Sequence, residues 1–232
     1  MKQAHWFLLF SLLTRSAAAS SSETAEGILR QAGYFADRYQ WGKALPLYEE
    51  AEQRFAQAGD GARAAYARLG RIRASVKDQS PERIYDALNT EIRRAPLMGD
   101  PSLRLRALFL KADVETDVDA ISVRPFNAKQ RRRDWEEILA LSREHGDRRL
   151  EARAQGELGL VRLMEGDPAG SDEIGAALWQ AKDAGDVTSE LRFRTAVASP
   201  YLRVGRHHDA LGHLERAVEL AESEQIFSFF PA

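Results

Sequence analysis

Residues 144–150 read Glu144-His145-Gly146-Asp147-Arg148-Arg149-Leu150, and residues 183–189 read Asp183-Ala184-Gly185-Asp186-Val187-Thr188-Ser189. Each stretch ends one helix-like run and begins another. Gly takes the left-handed conformation that stops a helix, and Asp caps the next one. The same pair stands at Gly59-Asp60 and Gly99-Asp100, so the four pairs are separated by 40, 47 and 39 residues. A fifth pair, Gly166-Asp167, falls midway through the last interval. Two helix-like stretches lie between successive pairs. A repeat of this length predicts stacked helical hairpins, an architecture that offers a surface for holding something rather than a pocket for chemistry.

Working outward from the pairs, apolar residues recur at three and four positions, and Ala, Leu, Arg and Glu are abundant. Strand-type alternation is nearly absent. The expected hairpins are residues 23–39 with 43–58, 62–76 with 81–95, 101–116 with 128–144, 148–164 with 171–184, and 187–204 with 208–223. Pro81 and Pro101 stand at helix starts, where a missing N–H costs little. Residues 118–127 hold Pro125 and no clear period, and read as a loop insertion that lengthens the third unit.

The chain has 232 residues, 44% of them hydrophobic and 29% charged, with a formal net charge of -2. That is a globular composition, and its near balance of charge argues against general nucleic-acid or anionic-membrane binding. It has no cysteine, which removes disulfides, thiolate metal sites and a Cys nucleophile. The start reads as a secretory leader: Lys2, an apolar run from Phe7 to Leu13, then Ala17-Ala18-Ala19 as a cleavage site. Residues 1–19 are expected to be removed, leaving an exported, periplasmic or secreted repeat domain at 20–223 and a tail at 224–232. The apolar run is short for a membrane span, so no stable membrane insertion is expected after cleavage.

Two segments carry a known spacing. Ala32, Phe35, Ala44, Tyr48 and Ala51 stand at the same offsets as Ala198, Tyr201, Ala210, Leu214 and Ala217. Small residues at the first, third and fifth positions let paired helices approach, and the larger ones fill the gap. Gly70 and Leu158-Gly159 agree with a Leu-Gly pair in the same pattern, Gly205 makes the turn of the last hairpin, and Trp41-Gly42 is expected to make that of the first. On these residues the chain resembles a tetratricopeptide-repeat (TPR) protein over residues 23–223, with the longer repeats of bacterial signalling proteins. The resemblance implies a right-handed α-solenoid of about five helix-turn-helix repeats. It also implies protein–protein binding with no cofactor and no catalytic residues, as a scaffold or adaptor. The alternative is the sensory input region of a signalling receptor, such as one with a histidine-kinase effector, separated from that effector.

In such arrays the first helix of each pair lines the inner face. Registering the units on Ala32, Gly70, Ala112, Gly159 and Ala198 places Arg71, Arg106, Arg153, Arg192 and Arg203 there, with Glu26, Asp37, Asp113 and Asp117 nearer the N-terminal half. Guanidinium forks suit carboxylates, so the expected partner is a protein or peptide with an acidic segment or C-terminal carboxylate. Lys129, Arg131, Arg132 and Arg133 are followed at once by Asp134, Glu136 and Glu137, and read as a solvated helix face. His207, His208 and His213 beside Asp209 read as polar residues opening a helix, not as metal ligands. Trp41, Trp135 and Trp179 read as core or turn packing. No nucleophile–base motif or phosphate-cradling loop is present. The aromatic end Ile226-Phe227-Ser228-Phe229-Phe230-Pro231-Ala232 is expected to fold back over the last hairpin; a docking segment and the beginning of a further repeat are the alternatives.

Overall fold

The computed structural model describes residues 24–75, 79–94, 97, 99–121 and 127–226. The expected leader, the start up to residue 23, the aromatic tail from Phe227 and residues 122–126 of the long connection lie outside these. Every regular element among the described residues is a helix. They are α1 (residues 24–36), α2 (Trp41–Gln57), α3 (Gly61–Ala74), α4 (Pro81–Ile92), α5 (Pro101–Ile121), α6 (Ala128–His145), α7 (Arg148–Met164), α8 (Gly170–Asp183), α9 (Val187–Arg203) and α10 (His207–Ser223). The fold is all-α, of the α-solenoid class. Helix α5 continues to Ile121, so residues 118–121, expected in the loop, are helical.

The chain divides into two compact units. One holds the described residues up to 36 together with 40–104, and the other holds 37–39 and 105–226. In the first, α2 packs on α3 and α3 on α4. In the second, α6, α7, α8, α9 and α10 pack in chain order, and α9 also touches α7. Large buried side chains fix each unit: Tyr48, Phe55 and Leu69 in the first, Trp135, Ile138, Ile174 and Phe193 in the second.

The Gly-Asp pairs do what their chemistry predicts. Gly59, Gly146 and Gly185 have φ of 77°, 68° and 63°. The N–H of the following Asp closes back on the ending helix: Asp60 to the Phe55 carbonyl at 2.9 Å, Asp147 to Ser142 and Asp186 to Ala181, both at 2.8 Å. The side chain of the same Asp accepts an otherwise free N–H in the first turn of the next helix, from Arg63, Leu150 and Ser189 at 3.0, 3.0 and 3.3 Å. One residue therefore ends one helix and starts the next. Asp100 caps α5 in the same way through the Leu103 N–H.

The turns inside hairpins close alike at Gly166 and Gly205, with φ of 90° and 77°. In the first hairpin the turn falls one step earlier than the sequence reading. Tyr39 takes the left-handed conformation at φ 56°, and the Gln40 N–H bonds the Phe35 carbonyl. Trp41 and Gly42 already belong to α2, because the Trp41 ring is buried and anchors the helix start.

Glycines also mark where helices meet most closely. A Cβ on residue 70 would lie 2.1 Å from Cε1 of Tyr48. One on residue 156 would lie 2.2 Å from Cζ of Phe193, and one on residue 170 would lie 2.3 Å from the Gly159 carbonyl oxygen. The Tyr48 and Phe193 rings occupy the space those missing side chains leave, which is how small-against-large packing is realised here.

Candidate binding site

The second unit carries a buried charged layer built from α7 and α9. Arg153 and Glu157 are four residues apart on α7 and so share a face. Glu157 has no exposed surface and Arg153 is 5% exposed. Arg192 of α9 meets Glu157 with a two-bonded fork, Nε to Oε1 at 2.9 Å and Nη2 to Oε2 at 3.2 Å. Arg153 Nε lies 3.1 Å from Glu157 Oε1. Its Nη2 donates to Asp113 Oδ1 of α5 at 3.1 Å and its Nη1 to Ser189 Oγ at 3.4 Å. The guanidinium lies 5.8 Å from the Phe109 ring centroid and 5.7 Å from that of Phe193. Burial alone would raise the Glu157 pKa; the charges of Arg192, Arg153 and Arg131 outweigh it and hold the group at about 2. At the start of α9, Asp186 is also buried, accepts two bonds from Arg149 at 2.8 and 3.0 Å, and bonds Ser189 Oγ at 2.8 Å.

Of the five arginines expected to face a partner, the structure brings Arg153 and Arg192 together, on an internal carboxylate. Arg71 lies in the first unit on α3. Its Nε donates to Glu52 at 2.8 Å, and Arg68 holds the other oxygen of that carboxylate at 2.7 Å. Arg106 is exposed on α5 and Arg203 is exposed at the end of α9. Glu157 is the residue the sequence reading passed over; its spacing of four from Arg153 was the available signal.

Other expectations fall into place or change. Trp41 and Trp135 are buried as read, but Trp179 is 67% exposed on α8. Its neighbours Ala177 and Ala181 take the inward face of that helix. Arg131 is not on a solvated face. It is buried and its Nη2 reaches the Glu115 carbonyl at 3.4 Å, whereas Arg132 pairs with Glu165 and Arg133 bonds Gln130. His213 stacks on Tyr201 with centroids 5.7 Å apart. Burial and the nearby Arg194 charge lower its pKa.

Helices α8, α9 and α10 leave five large apolar side chains in solvent: Trp179, Leu202, Val204, Leu211 and Val218. Val204, in the turn after α9, is 70% exposed, and the exposed Arg203 and Arg206 flank it. Leu202, Arg203, Val204 and Arg206 thus set exposed apolar and cationic side chains side by side along the chain.

No protein-family model matches the chain, and no curated protein matches it. Among solved structures it is similar to a Rap protein complexed with competence and sporulation factor, with a TM-score of 0.61 and 11% identity. The match covers 88% of this chain, and the chain spans 65% of that one. The likeness shows the fold, a TPR-like array of helices.

Proposed function

We propose that the chain is a non-catalytic scaffold or adaptor that binds a protein or peptide. One observation carries this reading: α8, the end of α9 with its following turn, and α10 each leave large apolar side chains exposed, and Leu202 and Val204 stand beside the exposed Arg203 and Arg206. Large apolar side chains left exposed on neighbouring elements are the groups an interaction surface would use. The repeat architecture supports it, since neighbouring hairpins supply the core and leave other faces free to vary. The solved structure with the same fold is of a complex with a factor, in agreement with a binding role.

The partner proposed is an acidic segment. Arg106 and Arg203 are exposed and available to it. In the same unit Arg192 offers its outer edge while holding Glu157, and Arg153, buried beneath, fixes Arg192 through the carboxylate they share. The leader-like pattern of residues 1–19 supports export, and an exported chain would meet its partner outside the cytoplasm.

The experiment is affinity capture by the full chain from an extract of its own source, in parallel with Arg106→Glu and Arg203→Glu. A partner enriched by the parent and lost with both exchanges, while thermal unfolding is unchanged, supports the reading. Equal recovery by all three proteins rejects the arginine role.

A further inference from the structure

Between α8, α9 and α10 lies an open trough of about 640 Å³. Asp172, Gly175, Trp179 and Lys182 follow one another along α8 at three- and four-residue steps, so they share one face and form one wall. Nothing lies within 4 Å of where a Cβ on Gly175 would stand, which keeps that wall low at its middle. The opposite wall is a layered stack. The Arg206 guanidinium lies 4.6 Å from the Tyr201 ring centroid, and Tyr201 lies nearly parallel to His213 at 21°. Val197 lines the space between.

The ends of the trough differ in charge. Arg194 is tied to Glu190 and Arg206 to Asp209, each at 2.7 Å, so both lining arginines already have carboxylates. Among the described residues Asp172 and Lys182 are left without a charged partner. They are ten residues apart on α8, hence about 15 Å. A tight turn at Gly185 joins α8 to α9, so the helices run in opposite directions and Tyr201 and Arg206 lie toward the Asp172 end. The trough thus holds a lone carboxylate beside the Arg206–Tyr201 stack at one end, a lone ammonium at the other, and Trp179 between them. An extended peptide advances about 3.3 Å per residue, so about four to five residues span it.

We propose that this trough binds a short extended peptide segment of a partner protein. A cationic group lies at Asp172 beside the Tyr201 ring, an aromatic or aliphatic side chain lies against Trp179, and a carboxylate lies at Lys182. The proposal rests on the reading of the chain as a peptide- or protein-binding array and names where, and by what chemistry, that array grips.

The test uses the full chain and three end-capped pentapeptides: Arg-Ala-Phe-Ala-Glu, Arg-Ala-Phe-Ala-Arg and Glu-Ala-Phe-Ala-Glu. Titration calorimetry at low salt is expected to show the first binding about fivefold tighter than the other two, as a single exposed charge pair allows. Trp179→Ala weakens it about tenfold, as removal of an aromatic anchor does. Lys182→Glu makes both ends negative and transfers the preference to the peptide with two arginines. Both residues are exposed, so circular dichroism melts stay at the parent value.

Equal binding of the three peptides, or indifference to Trp179→Ala, overturns the proposal. Joint replacement of Phe227, Phe229 and Phe230 by Ala that opens Trp179 to iodide quenching overturns it too, because the chain's own end then fills the trough. Self-association abolished by Trp179→Ala overturns it in favour of a second copy. Arg106→Glu and Arg203→Glu belong to the broader reading and are read by partner capture alone. A partner lost with those exchanges but retained by Trp179→Ala and Lys182→Glu leaves the broader reading standing and the trough proposal rejected.

Discussion

Arg192 holds both oxygens of a carboxylate, Glu157, that has no contact with water. Two more arginines, Arg153 and Arg131, lower the pKa of the same group through their charges. Taking Glu157 away leaves Arg153 and Arg131 charged and buried, with the half-buried Arg192 beside them. Breaking such a pair costs about 3–5 kcal/mol, far more than a surface pair is worth. Glu157→Ala is therefore expected to lower the stability of the second unit by that amount. Urea unfolding followed by far-ultraviolet dichroism measures it. Arg54→Ala, which opens an exposed pair with Glu50, is the control and changes stability by less than about 1 kcal/mol.

The same carboxylate makes stability depend on acid. Its pKa in the folded chain is about 2, below the ordinary value of 4.5 that it recovers on unfolding. The unfolded chain then binds the proton more readily. The stabilisation is complete above about pH 4.5 and is lost as pH falls toward 2. Asp186 and Glu52 move in the same direction, each despite burial, through Arg149 and through Arg68 with Arg71. Glu157→Gln should be less stable than the parent at pH 7, with the gap narrowing as the buffer is taken to pH 3. Paired urea titrations at pH 7, 4 and 3 check this. A gap constant across that range would show that Glu157 does not titrate as described.

Gly70 and Tyr48 are a matched pair. Gly70→Ala would put a methyl group 2.1 Å from the ring, inside any tolerable contact. The ring is buried and has little room to yield. Overpacking of this kind costs about 1–3 kcal/mol. Tyr48→Leu alone also destabilises, by leaving a void. The double variant Gly70→Ala with Tyr48→Leu should lose less than the sum of the two, and a double-mutant cycle by thermal denaturation reads that difference.

Asp186 does three things at once: it caps α9, accepts from Ser189 Oγ and pairs with Arg149. Asp186→Ala removes all three, and the cap alone is worth about 1 kcal/mol. Asp186→Asn keeps the acceptor for the Ser189 N–H and should fall between Ala and the parent in melting temperature. Gly185→Ala strains the left-handed turn at φ 63° and costs about 1 kcal/mol by itself.

The helices and their joints were legible because Gly and Asp act locally: a left-handed φ and a side-chain cap need no knowledge of the rest of the chain. Hence the joints at residues 59, 146 and 185 stand where the sequence reading put them. The first hairpin turn was misplaced because Tyr39, not a glycine, takes the left-handed conformation, and nothing in its identity announces that. Long-range partners were less legible. Arg153 and Arg192 lie 39 residues apart in sequence, and only packing of α7 against α9 shows that both answer to Glu157. Arg131 sits in a run of basic residues whose composition signals solvent, yet helix rotation turns that one residue inward. Trp179 shows the reverse: hydrophobic identity suggested the core, and the register of α8 placed it outside.

Since each joint Asp is the last acceptor-seeking N–H of one helix and the first acceptor of the next, the chain has no slack there. A residue inserted between Gly185 and Asp186 would spoil the end of α8 and the beginning of α9 together. Lengths at these joints are thus protected against drift. Single-residue insertions and deletions should survive only elsewhere, and change in the number of repeats is confined to the gain or loss of whole hairpins.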